Sequence, residues 1–305
     1  MKRSLIFLAG KTGVVSLPAS WIRKQGLSKG DELDLFEKDN IIQIVNIAKK
    51  VSNKVEVNVT DLSQSMIFRY INTWYKLGVS EIKIYFENQE KDGKFLIDII
   101  QQGIDSLIGL EIVRQTKNTC IVKEISQVKS EEFSAIFRRM FLTLLSMTED
   151  SLKAIKSKDK ESLINISKYS DNNLNRLYMF CVRILNKEND YVKACMGNMT
   201  KLNALEKIGD YCAEINSQLL DVESFSLDER TLELYGETNG LLKEYYELHY
   251  KSTREKIDAL IVKAKKSRLK IMKLSSSLGG LDVSVLSTLK IINKEIREII
   301  DWIMV

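Results

Sequence analysis

This chain lacks most of what a catalytic or cross-linked architecture draws on. Of its 305 residues one is proline (Pro18) and one is histidine (His249). A lone histidine leaves no histidine ligand set. Beside Tyr245, Tyr246 and Tyr250 it reads as a packed ring rather than as the base of a Ser/His/Asp triad. Four cysteines, Cys120, Cys181, Cys195 and Cys212, stand far apart with no C-x-x-C, which argues against a zinc site or a disulfide framework. They read as small buried apolar residues. No apolar run approaches the roughly 18 residues of a membrane span, and Ser4 to Ala9 after Met1-Lys2-Arg3 is too short for a signal peptide. The expectation is a cytoplasmic protein without membrane insertion. Gly10-Lys11-Thr12 looks like the end of a phosphate-binding loop, but Leu5 stands where G-x-x-x-x-G-K-[ST] requires its first glycine, so that reading is rejected. With no catalytic constellation in sight, the chain is read as a non-enzyme.

What is present begins with a length sufficient for two or three domains. The net charge of +5 is unevenly spread: residues 1–50 hold nine Lys/Arg against five Asp/Glu, residues 51–127 nine against ten, and the remainder 28 against 26. A basic excess at the N-terminus is an electrostatic footprint for nucleic acid, with a solvated lysine-rich surface as the alternative.

Ser4 to Val45 is the most legible stretch. Two alternating apolar segments flank one short helix, Pro18 to Gln25, with proline at its start, Trp21 and Ile22 expected inward, and Arg23 and Lys24 outward. Gly26 stops the helix as a left-handed residue. Lys29-Gly30-Asp31 makes a turn, and Leu33 to Glu37 and Ile41 to Val45 alternate around Asp39-Asn40 as a hairpin. A segment of about 45 residues is too small to bury a good core, so pairing with a second copy is expected. At G-K-T-G-V-V-S-L-P-A-S-W (10–21), G-L (26–27) and K-G-D-E-L (29–33) this string resembles the AbrB/SpoVT family of swapped-hairpin DNA-binding domains. The resemblance implies a homodimer in which two copies of residues 1–48 interleave into one β-barrel. It also implies basic residues of the N-terminal strands and loop facing DNA; the candidates are Lys2, Arg3, Lys11, Arg23 and Lys24.

Residues 49–127 read as a small α+β module. Strands are expected at Lys54 to Val59 and Glu81 to Phe86, and a helix from Ser63 to Leu77 with Ile67, Ile71 and Trp74 on one face and Gly78 closing it. A charged loop, Glu87 to Lys94, leads to a short helix around Phe95 to Gly103, and Glu111 to Arg114 and Thr119 to Ile125 form a hairpin. Linker or dimer support is preferred over ligand binding for this module.

Residues 128–305 are helical in character. Apolar residues recur at spacings of 3 and 4, as in Phe133, Phe137, Met140, Phe141, Leu144 and Leu145. Breaks are expected at Ser157 to Asp159, Asn186 to Asp190, Ser224 to Asp228, Gly236 to Gly240 and Ser275 to Asp282. They divide the region into about six long segments, the number two three-helix repeats require. Within it Glu206, Asp210 and Glu214 stand at i, i+4 and i+8, so three carboxylates share one helical stripe and repel. The bland reading is a surface stripe neutralised by Lys201, Lys207 and water.

The run Leu205-Glu206-Lys207-Ile208-Gly209-Asp210 resembles the L-E-x-I-G-D signature of the PhoU family, regulators of phosphate uptake built from two three-helix repeats. That resemblance implies a divalent metal ion held by Glu206 and Asp210 together with Asp171, which matches the family's acidic position. Asn175 stands where a second carboxylate is usual. In the second repeat Lys290 and Lys294 replace both acids, and Lys263, Lys265, Lys266, Arg268 and Lys270 crowd the preceding helix. The two resemblances together imply a DNA-binding transcriptional regulator of phosphate uptake whose helical domain senses or interacts. The alternative is a signalling adaptor that binds a phosphate transporter or sensor kinase and uses its head only to dimerise.

Overall fold

The computed structural model describes residues 2–8, 10–38, 41–45, 54–87, 90–91, 94–126, 130–188 and 192–303. It divides into two compact units, Met1–Lys54 and Val55–Val305. In the first, strands β1 (Ile6–Leu8) and β2 (Thr12–Val14) pair antiparallel, Ile6 opposite Val14, through a turn in which Gly10 takes φ 73°. Helix α1 (Ala19–Gln25) follows Pro18, whose ψ of 128° makes it the cap rather than the first helical residue; Gly26, at φ 68°, ends it in the left-handed region. The Ser28 amide donates to Asp31 Oδ2 across the next turn at 2.7 Å. Strands β3 (Asp34–Lys38) and β4 (Ile41–Val45) form a second hairpin, whose expected turn residues Asp39 and Asn40 lie outside the described residues.

The two hairpins are separate sheets, and among the described residues of one chain no barrel closes. Trp21 and Ile22, expected to be buried, are only half-buried. Leu5, Ile6, Phe7, Leu8, Val15, Leu35 and Ile42 are all exposed, Phe7 at 63%. Two short hairpins and a helix of seven residues have too little surface to cover their own apolar faces.

The second unit begins with a four-stranded sheet in the order β5 (Lys54–Asn58), β6 (Glu81–Tyr85), β10 (Thr119–Glu124), β9 (Leu110–Gln115). Helix α2 (Gln64–Lys76) starts at Ser63, whose Oγ accepts from the Met66 amide, and stops before Gly78 at φ 80°. Its buried face is Ile67, Ile71 and Tyr75; Trp74, expected there, is only half-buried and stacks on Tyr70. Within the charged loop, β7 (Glu90–Lys91) and β8 (Lys94–Phe95) make a minimal hairpin before α3 (Leu96–Asp105). Ile82, Ile84, Cys120 and Val122 point to the helices and form the core with them, the period-2 alternation of a sheet covered on one side. Val113, the extra residue of a bulge in β9, is left exposed.

The helices that follow are α4 (Phe133–Ser157), α5 (Lys160–Asn165), α6 (Asp171–Glu188), α7 (Val192–Leu220), α8 (Glu229–Tyr250), α9 (Arg254–Ser275) and α10 (Gly280–Ile300). A π-helical turn, Ile166–Ser170, joins α5 to α6 as one rod, so six long segments result. Helix α4 packs on α6, α7 and α8, and α10 packs on α7, α8 and α9. The break expected at Gly236 to Gly240 does not exist: both glycines lie inside α8. Each costs a helix only about 1 kcal/mol, less than the burial of Leu234, Tyr235, Leu241 and Leu242 around them returns. The unforeseen break falls at Lys251 to Thr253, where Thr253 Oγ1 caps α9 by accepting from the Lys256 amide. Part of the break expected after Asn186 lies outside the described residues.

The α+β portion and the bundle share α6. Its Phe180 and Ile184 enter the core beneath the sheet, and Arg183, 1% exposed, reaches the end of α2. There its guanidinium donates to the carbonyls of Tyr75 at 2.8 Å and Val79 at 3.0 Å, pairs with Glu124 at 3.1 Å and lies over the Tyr75 ring. Lys187 adds a second cation on Glu124 at 2.6 Å, and Asn186 donates to the Lys76 carbonyl. Removing the guanidinium takes a buried donor from the Tyr75 and Val79 carbonyls and leaves Glu124 with Lys187 as its remaining cation. Arg183→Ala is therefore expected to lower the unfolding free energy by about 3–5 kcal/mol; urea denaturation followed by circular dichroism measures it.

Candidate functional site

The acidic residues singled out by sequence meet where α6 faces α7. Asp171 is the first residue of α6, directly after the π-helical turn. Asn175 stands one turn further on, and its Nδ2 donates to Asp171 Oδ2 at 3.2 Å. Asp171 Oδ1, Asn175 Oδ1 and Ser167 Oγ are all buried without a hydrogen-bond partner. Ser167, Asp171 and Asn175 recur every four residues, so three unsatisfied oxygens lie along one face. Buried polar groups are seldom left this way, and an orphaned cluster of oxygens is suited to receive a water or a cation.

Across the interface α7 contributes Glu206 and Asp210. Gly209, between them in the turn, lets α7 approach α6 closely: a Cβ there would collide with Leu174 Cδ2. Burial pushes the Glu206 carboxyl up to about 7, and the charges of Asp210 and Asp171 push it the same way, while Lys76 and Lys207 pull it back. Asp171 is raised to about 6 by burial and by the Asp210 charge, and Asp210 is raised by burial. These three carboxylates therefore share one field. Glu214, the third member of the sequence stripe, takes no part: it is exposed and accepts from Gln218 Nε2 at 3.1 Å.

Nor do the two expected neutralising lysines simply cover the stripe. Lys207 reaches the buried Glu295 of α10 at 3.6 Å, and Lys201 is half-buried with its pKa lowered by that burial. The donor set, carboxylates with an amide carbonyl, suits a hard divalent cation. Even so, among the described residues no three His, Cys, Asp or Glu side chains are already placed as a ligand set. The oxygens fit an ion in chemistry and in their lack of partners, but not in finished geometry.

Elsewhere, Lys290 and Lys294 of α10 are exposed, Lys294 pairing with Glu298 at 3.4 Å. His249 sits against Phe137, Tyr245 and Tyr250, and burial, with the Lys201 charge, lowers its pKa to about 4. It is a neutral packed ring at ordinary pH. Sequence reasoning missed Ser167 and a buried network at the bundle centre. In that network Tyr235 Oη donates to Ser151 Oγ at 3.2 Å and lies 3.4 Å from Cys212 Sγ, while Ser151 bonds Asn216. Single polar residues in apolar periodic runs give no warning of which will meet.

In the first unit Lys2, Arg3, Lys11, Arg23 and Lys24 are all exposed. Lys11 sits in the β1–β2 turn, its amide donating to the Leu8 carbonyl at 3.3 Å. Arg23 and Lys24 occupy the last turn of α1, where the helix dipole favours cations. No described helix is long and apolar enough to cross a membrane.

The carboxylate cluster has a direct consequence for stability. A carboxyl whose folded pKa lies above its unfolded value near 4 binds protons more tightly when folded, so stability falls as pH rises from about 4 to 7. Glu206→Gln removes that penalty. In metal-free buffer its urea midpoint is expected to exceed that of the parent at about pH 8 and to match it near pH 4.

Comparison with known proteins agrees with both sequence resemblances. Residues 6–54 match the family model described as "Antidote-toxin recognition MazE, bacterial antitoxin", and residues 137–219, helices α4 to α7, match the PhoU domain. No curated protein matches the chain. Among solved structures, the phosphate transport system regulatory protein PhoU from Streptococcus pneumoniae is similar, with 17% identity and a TM-score of 0.45 over 57% of this chain and 93% of that one. The chain thus carries a MazE/AbrB-type segment at its N-terminus and a PhoU domain behind it.

Proposed function

We propose that this protein is a DNA-binding transcriptional regulator of phosphate uptake and not an enzyme. The observation that carries the proposal is the joining, in one chain, of a basic MazE/AbrB-type segment to a PhoU domain. Two copies of the N-terminal segment interleave their hairpins, covering Leu5 to Leu8, Leu35 and Ile42, which a single copy leaves in water. Lys2, Arg3, Lys11, Arg23 and Lys24 of both copies then neutralise DNA phosphates and set the register. Native mass spectrometry of the full chain is expected to show a dimer; a monomer at every concentration overturns this arrangement. In gel shifts on co-purified genomic fragments, Lys11→Ala and Arg23→Ala each weaken binding and flatten the log K against log salt slope by about 0.9. Unchanged affinity and slope in both exclude the segment as the DNA contact.

The PhoU domain is the input end. Asp171, Asn175, Glu206 and Asp210 would hold a divalent cation, which would supply the positive charge that their mutual repulsion lacks. Asp171 and Arg183 stand on the same helix, about 18 Å apart at the α-helical rise, so α6 links the acidic cluster to the joint with the α+β portion. Metal analysis of protein purified without added ions is expected to find less divalent metal in Asp210→Asn than in the parent, and equal content overturns the site. The PhoU match also supports a second reading, an adaptor bound to a phosphate transporter or sensor kinase. Loss of all DNA binding at low salt, with retention of a transporter subunit in a pull-down, favours that reading.

A further inference from the structure

Helix α9 has an outer face unlike those of its neighbours. Its inner stripe, Ile257, Leu260, Ala264, Ser267 and Ile271, is buried in the bundle, and the opposite face of such a helix is normally polar. Here Ile261, Val262, Leu269 and Met272 are exposed instead, Leu269 at 58%, and Ile291 of the adjacent α10 is exposed too. Between them lie only cations: from Ile261 to Lys273 the helix holds Lys263, Lys265, Lys266, Arg268, Lys270 and Lys273 and no carboxylate. Lys263 and Lys270 are neutralised by Glu244 at 2.7 Å and Glu237 at 2.6 Å on α8. Lys265, Lys266, Arg268 and Lys273 have no ion-pair partner among the described residues, and the exposed Lys290 of α10 adds to the field, while Lys294 is paired with Glu298 at 3.4 Å.

The spacing of these residues decides what could cover them. Val262, Lys266, Leu269 and Lys273 follow at i, i+4, i+7 and i+11, along the crest directly opposite the buried stripe. A convex crest does not enclose a peptide, which requires a groove between elements. Duplex DNA would use the cations but leave four apolar side chains in water, since its outer surface is phosphate and sugar. A flat anionic surface with an apolar layer beneath satisfies both kinds of side chain at once: lysines meet headgroup charge while Val262 and Leu269 enter the acyl boundary. We infer that the α9–α10 face binds peripherally to membranes rich in anionic phospholipid. The inference is independent of the acidic cluster and of the N-terminal segment.

Vesicle flotation of the full chain tests it, with phosphatidylcholine alone and with phosphatidylcholine–phosphatidylglycerol mixtures. Binding is expected to the mixed vesicles only, and to weaken as salt is raised. The triple variant Lys265→Ala, Lys266→Ala, Lys273→Ala is expected to bind the mixed vesicles roughly 100-fold more weakly. Val262→Ser with Leu269→Ser weakens the same binding although no charge changes. Lys11→Ala with Arg23→Ala leaves it intact, which separates this face from the basic N-terminus. All substituted positions are exposed, and unchanged urea midpoints confirm folding. Equal binding to neutral vesicles, unaltered binding by the triple variant, or loss in that variant of DNA affinity rather than vesicle binding overturns the inference.

Discussion

The second unit depends on one buried guanidinium. Arg183 satisfies two carbonyls where the backbone leaves α2 and turns into the sheet, and it pairs with Glu124 at the end of β10. The Tyr75 carbonyl also accepts from the Gly78 amide at 2.9 Å, so the guanidinium completes a buried helix end to which the backbone already contributes one donor. Arginine suits the position because its planar fork reaches several acceptors at once and its face lies over Tyr75. The Tyr75 phenol, itself donating to the Ile108 carbonyl, fixes the ring on which the guanidinium rests. One side chain of the bundle thereby organises the ends of a helix and a strand in the α+β portion, and the two hydrophobic cores meet along α6.

This joint was not legible in the sequence, because an arginine within an amphipathic helix reads as solvent-facing. What was legible followed local rules: Gly26 as a left-handed stop, Gly78 as the end of α2, and the strict alternation of β6 and β10. Gly236 and Gly240 mark no break, because the surrounding leucines and tyrosines outweigh their cost to the helix. Thr253 gave a weaker signal than two glycines and was overlooked, although a capping hydroxyl is the better evidence of a helix start.

The acidic cluster shows a similar division. Glu206 and Asp210 could be placed on one face from their spacing, and Asp171 was reached only through family resemblance. The π-helical turn at Ile166–Ser170 resets the helical phase just before Asp171, and no 3.6-residue pattern shows such a reset. The two halves of the bundle now differ in charge: one brings the half-buried Glu206 and Asp171 together with the exposed Asp210 where α6 faces α7, and the other leaves Lys265, Lys266 and Lys273 of α9 and Lys290 of α10 without an ion pair among the described residues.

The uncovered strands of the N-terminal unit place a further constraint on the protein in a cell. A segment that leaves Leu5 to Leu8, Leu35 and Ile42 exposed has little stability of its own, so a paired form would be set by mass action. At low abundance the amount of paired segment rises as the square of chain concentration. Any activity that requires the paired segment would then switch on steeply with expression, making gene dosage itself an input.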